Sequence, residues 1–279
     1  MAPIFFDFDK LEGEAEQVDH KSDRLGDSFA DLGDGFVKLV DAATDELKIG
    51  AVSANKLDLE FKHDEQVVGH DFIKVGLDFL KVDIPLHKFD DTFVKFADEF
   101  LKIAPSEAEG FSLAGDLFKF EADFKATGVD FVSTGFALKG DAPTESLSLN
   151  FSKIAFDYKA QADDALKIGD DFLKLGAVAG DLKLQALSEA LIKYGEDYVN
   201  LAAEDLKVAA DMLKVSQDLA PSTDSFAALS LDRTIAQHPE DFLSLVADFH
   251  KLDTSLSGLG TDAHKIAVAI EPVAFKFNG

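Results

Sequence analysis

The seven histidines and the paired aspartates are the residues of this chain with most scope for chemistry. Two histidines are close in sequence, His63 and His70 in KHDEQVVGH. On a helix they stand about 10.5 Å apart along the axis, too far to share one metal without other ligands, and the segment is not HExxH. Asp90-Asp91, Asp163-Asp164 and Asp170-Asp171 supply adjacent carboxylates. Adjacent helical side chains point about 100° apart, and no twelve-residue loop presents oxygens at calcium-loop spacing. LSLNFSK and DTSLSGLG hold serines without a nucleophile elbow, and neither a Walker loop nor a dinucleotide fingerprint occurs. The spacing predicts no catalytic residue, no cofactor and no metal site, with surface or capping roles for His63 and His70.

The dominant pattern is a packing unit. GHDFIKVGLDFLKVD, residues 69–83, repeats Asp, aromatic or aliphatic, aliphatic, Lys, aliphatic at an interval of seven, and GDDFLKLG and AADMLKV echo it later. Seven residues make two helical turns, so equivalent side chains stack on one helix face. Such rows include Phe72, Phe79, Leu86, Phe93 and Phe100; Leu117 to Leu138; Val18 to Leu39; and Ile192, Val199, Leu206 and Leu213. Phe72, Phe79, Phe93, Phe100, Phe172, Leu206 and Leu213 are the expected core of the repeat. At about 100° per residue the apolar arc spans roughly 160°, wide enough to touch two neighbouring helices. A Gly or Ala within that arc lets backbones approach closely. The Asp and Lys of each unit, three apart, are expected on a solvated face, where each pair is worth about 0.2–0.5 kcal/mol.

The predicted fold is mainly α, either a multi-helix bundle or a stacked helical array. Helices are expected near 14–47, 65–83, 86–104, 161–178, 186–218 and 239–256, with breaks at Pro85, Pro105, Pro143, Pro221 and Pro239. Within 110–158 the seven-residue frame of Leu117 to Leu138 favours helix, with short β segments as the alternative: Phe118 to Lys125 alternates strictly, and Leu147, Leu149 and Phe151 alternate with Ser and Asn. The alternation at the ends also allows short strands, Ile4, Phe6 and Phe8 beside Ile270, Val273, Phe275 and Phe277. Phe6, Phe8, Phe275 and Phe277 are then the candidate association residues, because unpaired strand edges invite pairing. The organisation expected is one repeat-rich unit over 1–279, with any subdivision near 105–145 and short terminal segments at 1–12 and 264–279.

Composition narrows the function. The net charge of −26 repels phosphate backbones, so nucleic acid is not an expected partner. No stretch approaches the roughly 18 uninterrupted apolar residues of a transmembrane span, and the start lacks the features of a cleavable signal peptide. Twenty-six Phe against three Tyr and no Trp favour dry burial over wet recognition. The Cys-free acidic composition, ending in VAFKFNG, resembles bacterial substrates of type I export, whose signal stays uncleaved at the C-terminus, although glycine-rich calcium nonapeptides are missing. The expectation is a non-enzymatic structural or scaffold protein, exported to the cell surface, acting through self-association or partner binding. The alternative is an amphipathic carrier of lipid or another hydrophobic ligand, or a granule coat, resembling apolipoproteins and phasins. Cytoplasmic residence is the alternative location.

Overall fold

The computed structural model describes residues 7–49, 54–102, 111–140, 142–220 and 230–278, and within these the side chains of all but 46–49, 54–58 and 274–278. The helices are α1 (Phe8–Ile49), α2 (Ala54–Leu101), α3 (Leu113–Lys139), α4 (Thr144–Asp181), α5 (Gln185–Leu219), α6 (Leu231–Gln237) and α7 (Pro239–Asn278). The protein is a mainly α helical bundle, with no strand among the described residues.

The six long helices close a ring. α1 packs on α2, α2 on α3, α3 on α4, α4 on α5, α5 on α7, and α7 back on α1, while short α6 lies against α1. Neighbours run antiparallel, as shown by Ser28 of α1 bonding Asp78 while Asp31, further along α1, bonds Lys74, earlier on α2. Aromatic rings fill the middle. Phe29 stands edge-on to Phe79 and Phe131 at 5.7 and 5.9 Å and lies 5.3 Å from Phe249, joining α1, α2, α3 and α7. Phe93 reaches Phe172 at 4.9 Å, and Phe172 meets Tyr194 edge-on at 4.7 Å, adding α4 and α5. Such offset and edge-on contacts suit the ring quadrupole and add about 0.5–1.5 kcal/mol each beyond burial.

Close approach at glycine makes this ring tight. A Cβ on Gly76 would sit 2.4 Å from the Gly128 carbonyl oxygen, and one on Gly135 would sit 2.4 Å from that of Gly69. The α2 and α3 backbones therefore touch at two levels. Gly169 and Gly195 do the same between α4 and α5, where either Cβ would meet the other residue's carbonyl oxygen at 2.8 Å. The α4–α5 turn is short, and Lys183 takes the left-handed conformation there (φ 58°).

Several expectations are corrected. Pro85 does not end a helix: α2 runs through it, because burial of the flanking Leu86 and Val82 outweighs the missing N–H of one proline. Phe118 to Lys125 is helical, with Phe120 and Phe124 inward and Phe118 outward. Leu147 and Phe151 are likewise core residues one helical turn apart, and Leu149 faces out. An exposed apolar residue between two buried ones produced the false alternation in both stretches. The C-terminal stretch with Ile270, Val273, Phe275 and Phe277 belongs to α7, which continues to Asn278, so it is helix and not strand. Phe8 opens α1 and packs half-buried on the core. Ile4, Phe6 and the side chains of Phe275 and Phe277 lie outside the described residues.

Phe72, Phe79, Phe93, Phe100 and Phe172 are buried, but Leu206 and Leu213 are 42% and 39% exposed and are not core. The buried row of α5 lies one position earlier, at Leu191, Tyr198, Asp205, Met212 and Leu219. Asp205 sits inside that row, and its carboxyl made the neighbouring all-aliphatic row look like the better apolar face.

Two stability tests follow from this packing. Phe79→Ala is expected to cost about 3–5 kcal/mol and Leu206→Ala below about 1 kcal/mol, measured by urea unfolding. Gly76→Ala should destabilise despite alanine's helix propensity, whereas Gly258→Ala, in α7 with nothing within 4 Å of its Cβ, should gain roughly 0.5–1 kcal/mol.

Candidate functional site

The charged rows differ from the solvated faces expected of them. Asp78, Asp164, Asp171, Asp211, Asp248 and Asp262 are all buried. Each is bonded by the lysine three residues on, with Lys81 at 2.6 Å from Asp78, Lys174 at 3.1 Å from Asp171, Lys214 at 2.9 Å from Asp211 and Lys251 at 2.7 Å from Asp248. The lysines stay half-exposed, lying over the helix seam with the ammonium in water. Further donors reach the same carboxylates from neighbouring helices: the Ser28 hydroxyl bonds Asp78 at 2.7 Å, and the Ser112 backbone N–H bonds Asp171 at 3.0 Å. Asp71 departs from the rule, because its Lys74 turns to Asp31 of α1 at 2.5 Å. The aspartate of the unit is thus an interhelical bonding group.

Deeper still is a string of acids and phenols. His87 on α2, half-exposed, bonds Glu121 of α3 through Nδ1 at 2.8 Å. Glu121 also faces the carboxyl of Asp90, which is wholly buried and meets no other donor among the described residues. Two carboxyls in that position hold together only by sharing a proton. Burial first, and then the Glu121 charge, push Asp90 well above the usual carboxylate range. The Glu121 hydrogen bond raises His87 above its ordinary value. Next to Asp90 lie Tyr194 and Tyr198, and across the core Tyr158 lies near buried Asp205; burial pushes all three phenols and Asp205 upward.

Two further acid pairs lie at seams. Burial and then the Asp130 carboxylate push Asp157 up to about 7. Burial and then a hydrogen bond with Asp262 push Asp197 up to about 6, against the pull of Lys193. Burial acts upward on Asp262 too, but bonds from Asp197 and Lys265 outweigh it and hold that carboxyl below its ordinary value.

Neither of the closely spaced histidines joins a cluster. His63 lines an open groove with Lys38, Asp41 and Asp45, and His70 accepts from Lys139 at 3.2 Å. The adjacent aspartates diverge as their helical geometry requires: Asp90, Asp164 and Asp171 point inward, Asp91, Asp163 and Asp170 outward. Two groups not singled out by spacing do converge, Asp218 with His238 and Asp241, and Glu12 with Glu16 and His264, each offering three ligand atoms within 4.8 Å of one another. Asp218 and Asp241 also bond each other directly, so a proton serves that group as well as a cation does. Such groups draw their members from different helices, and no local motif announces them.

The outer surface carries the other unusual feature. Phe118 and Phe136 of α3 are 69% and 62% exposed, and Phe156 and Leu149 of α4 are exposed as well. No described helix is long and apolar enough to cross a membrane. Compared with known proteins, the chain matches no family model, no curated protein and no solved structure.

The raised acids set a pH dependence. Unfolded aspartate titrates near pH 3.9, so between about pH 4 and 7 native Asp157 and Asp197 hold protons that the unfolded chain has released. Stability then falls as pH rises through that window, and His87, raised by its partner, acts with the same sign. Asp262, held low, adds stability that is fully present above about pH 4 and lost as pH falls below it, so it does not alter this slope. The melting temperature should be higher at pH 5 than at pH 8. Asp157→Asn should flatten that slope and raise the melting temperature at pH 8.

Proposed function

We propose that the chain is a non-enzymatic structural or scaffold protein that acts by association with a second copy or another protein. The observation that carries this reading is the contrast between a packed interior and phenyl rings left in water. The centre of the ring is occupied by Phe29, Phe72, Phe79, Phe93, Phe131 and Phe172, while Phe118, Phe136 and Phe156 face outward. Large apolar side chains grouped on a surface mark an interaction site. On this reading the seven-residue unit is a packing device, in which phenylalanine fills, glycine admits a neighbouring backbone and the Asp–Lys pair closes the seam.

The buried carboxyl–phenol string belongs to the same reading as a structural network. Its groups are bonded to one another or shut away from solvent by rings, and only His87 at one end is half-exposed. The three exposed phenylalanines equally suit contact with a lipid or polyester surface, so coating a hydrophobic particle is the second reading. Export through the C-terminal segment is part of the proposal, and wild-type chain accumulating in culture medium tests it.

Association is checked by sedimentation and light scattering over a range of concentration and salt. Because each copy carries −26 charges, raising ionic strength should increase particle size by screening. A particle of monomer mass at every concentration and salt, with no protein partner, ends this reading. Flotation of that monomer with oil droplets favours the second.

A further inference from the structure

The exposed positions of α3 contain no carboxylate. Its four acids are all turned into seams, Asp116 and Glu121 buried, Asp123 and Asp130 half-buried. What faces water instead is Phe118, Ala122, Val129 and Phe136, together with Lys119, Lys125 and Lys139. Each of the other long helices exposes carboxylates, and α1 exposes nine, from Asp9 to Asp45. In a chain of net charge −26, an apolar and cationic helix face is a departure that calls for a partner.

Geometry makes this face continuous. From Phe118 to Val129 is eleven residues and from Val129 to Phe136 seven, which on a helix return to within about 20° of one line. The stripe is about 27 Å long. Contact of Gly76 with Gly128 and of His87 with Glu121 sets the α2 register, bringing exposed Ile84 beside Phe118. Ile84, Phe118 and Ala122, with Lys88 and Lys125, line a groove of about 380 Å³ there, and the half-buried Asp83 and the His87–Glu121 pair complete its lining. Across the two helices the face measures roughly 27 Å by 20 Å, a large part of the about 800 Å² that each side of a stable interface buries.

We propose that this face binds a second copy of the chain through an antiparallel α3–α3 contact. The choice of occupant rests on charge: a partner of opposite sign would be met best by the acidic ridge of α1. In a two-fold contact the same face meets itself, and two copies that are acidic elsewhere repel least where the exposed positions of α3 carry no carboxylate on either side. Shape agrees, since large Phe118, Val129 and Phe136 alternate with small Ala122, Ala126 and Ser133. Two stripes crossing near their middle at Val129 set Phe136 of one copy over Ala122 of the other. The inference rests on the association reading above and names its surface.

Wild-type chain should show a monomer–dimer equilibrium in sedimentation that tightens with salt. Phe118→Asp with Phe136→Asp, both at exposed positions, should weaken it about a hundredfold or more while helicity by circular dichroism is unchanged. Val129→Cys supplies the sole thiol in a chain without cysteine and should give a disulfide-linked dimer on mild oxidation, whereas Asn200→Cys on exposed α5 should not. A dimer insensitive to the paired Asp substitutions, with no Val129→Cys cross-link, overturns the α3 contact and leaves association standing on another surface. A wild-type monomer at all concentrations overturns the contact. If that monomer floats with phosphatidylcholine vesicles and the paired Asp variant does not, the face is a lipid-docking surface.

Discussion

Backbone contact between antiparallel helices is the constraint on which the rest of this structure depends. Where Gly76 meets Gly128 and Gly69 meets Gly135, there is no room for a single extra carbon. Helices held that close leave a narrow ring interior, and flat aromatic side chains fill it from six directions. The phenylalanines in turn fix the helix rotation, since a ring as large as Phe79 or Phe131 cannot be displaced outward while glycine holds the backbones together. Glycine costs helix propensity, and here the ring packing offsets that cost.

The same closeness explains the placement of charge. When helices touch at glycine, the positions beside the contact are also covered, and the aspartate of each unit occupies one of them. A bare carboxylate there would be costly. Lysine three residues on lies back over it with its ammonium in water, and serine hydroxyls or backbone N–H groups from the next helix complete the bonds. Much of the net charge is therefore held at seams, where protons and lysines moderate it. Asp90 and Asp205 go further inside than any lysine can follow, and their protonated forms are the ones the interior tolerates. This arrangement makes an acidic protein that is expected to gain stability on mild acidification.

Distribution of the acids also shapes the exterior. On α1 they point outward as a ridge along nearly the whole helix; on α3 they point into the neighbouring seams. The two faces therefore differ sharply in their attraction for other molecules, although both helices belong to the same ring and pack on α2. Contact between two acidic copies is least opposed where carboxylates are turned away, and the apolar residues of α3 occupy that place.

The amino-acid sequence by itself determined the helical class, the inward rows of Phe72, Phe79, Phe93, Phe100 and Phe172, and the use of small residues for close approach, because a seven-residue interval stacks side chains on one helix face. It misled where a polar residue lay in a core row, as Asp205 does beside Leu206, and where an apolar residue lay outside, as Phe118 and Leu149 do. Tertiary structure alone decided those cases: whether a carboxyl can be buried depends on a proton, lysine or serine arriving from elsewhere in the chain. Likewise the pairing of His87 with Glu121 and Asp90, and the cleared face of α3, exist only once α2 and α3 are in register. Local spacing carries rotation about one helix axis, whereas the neighbour opposite each residue is set by the closing of the ring.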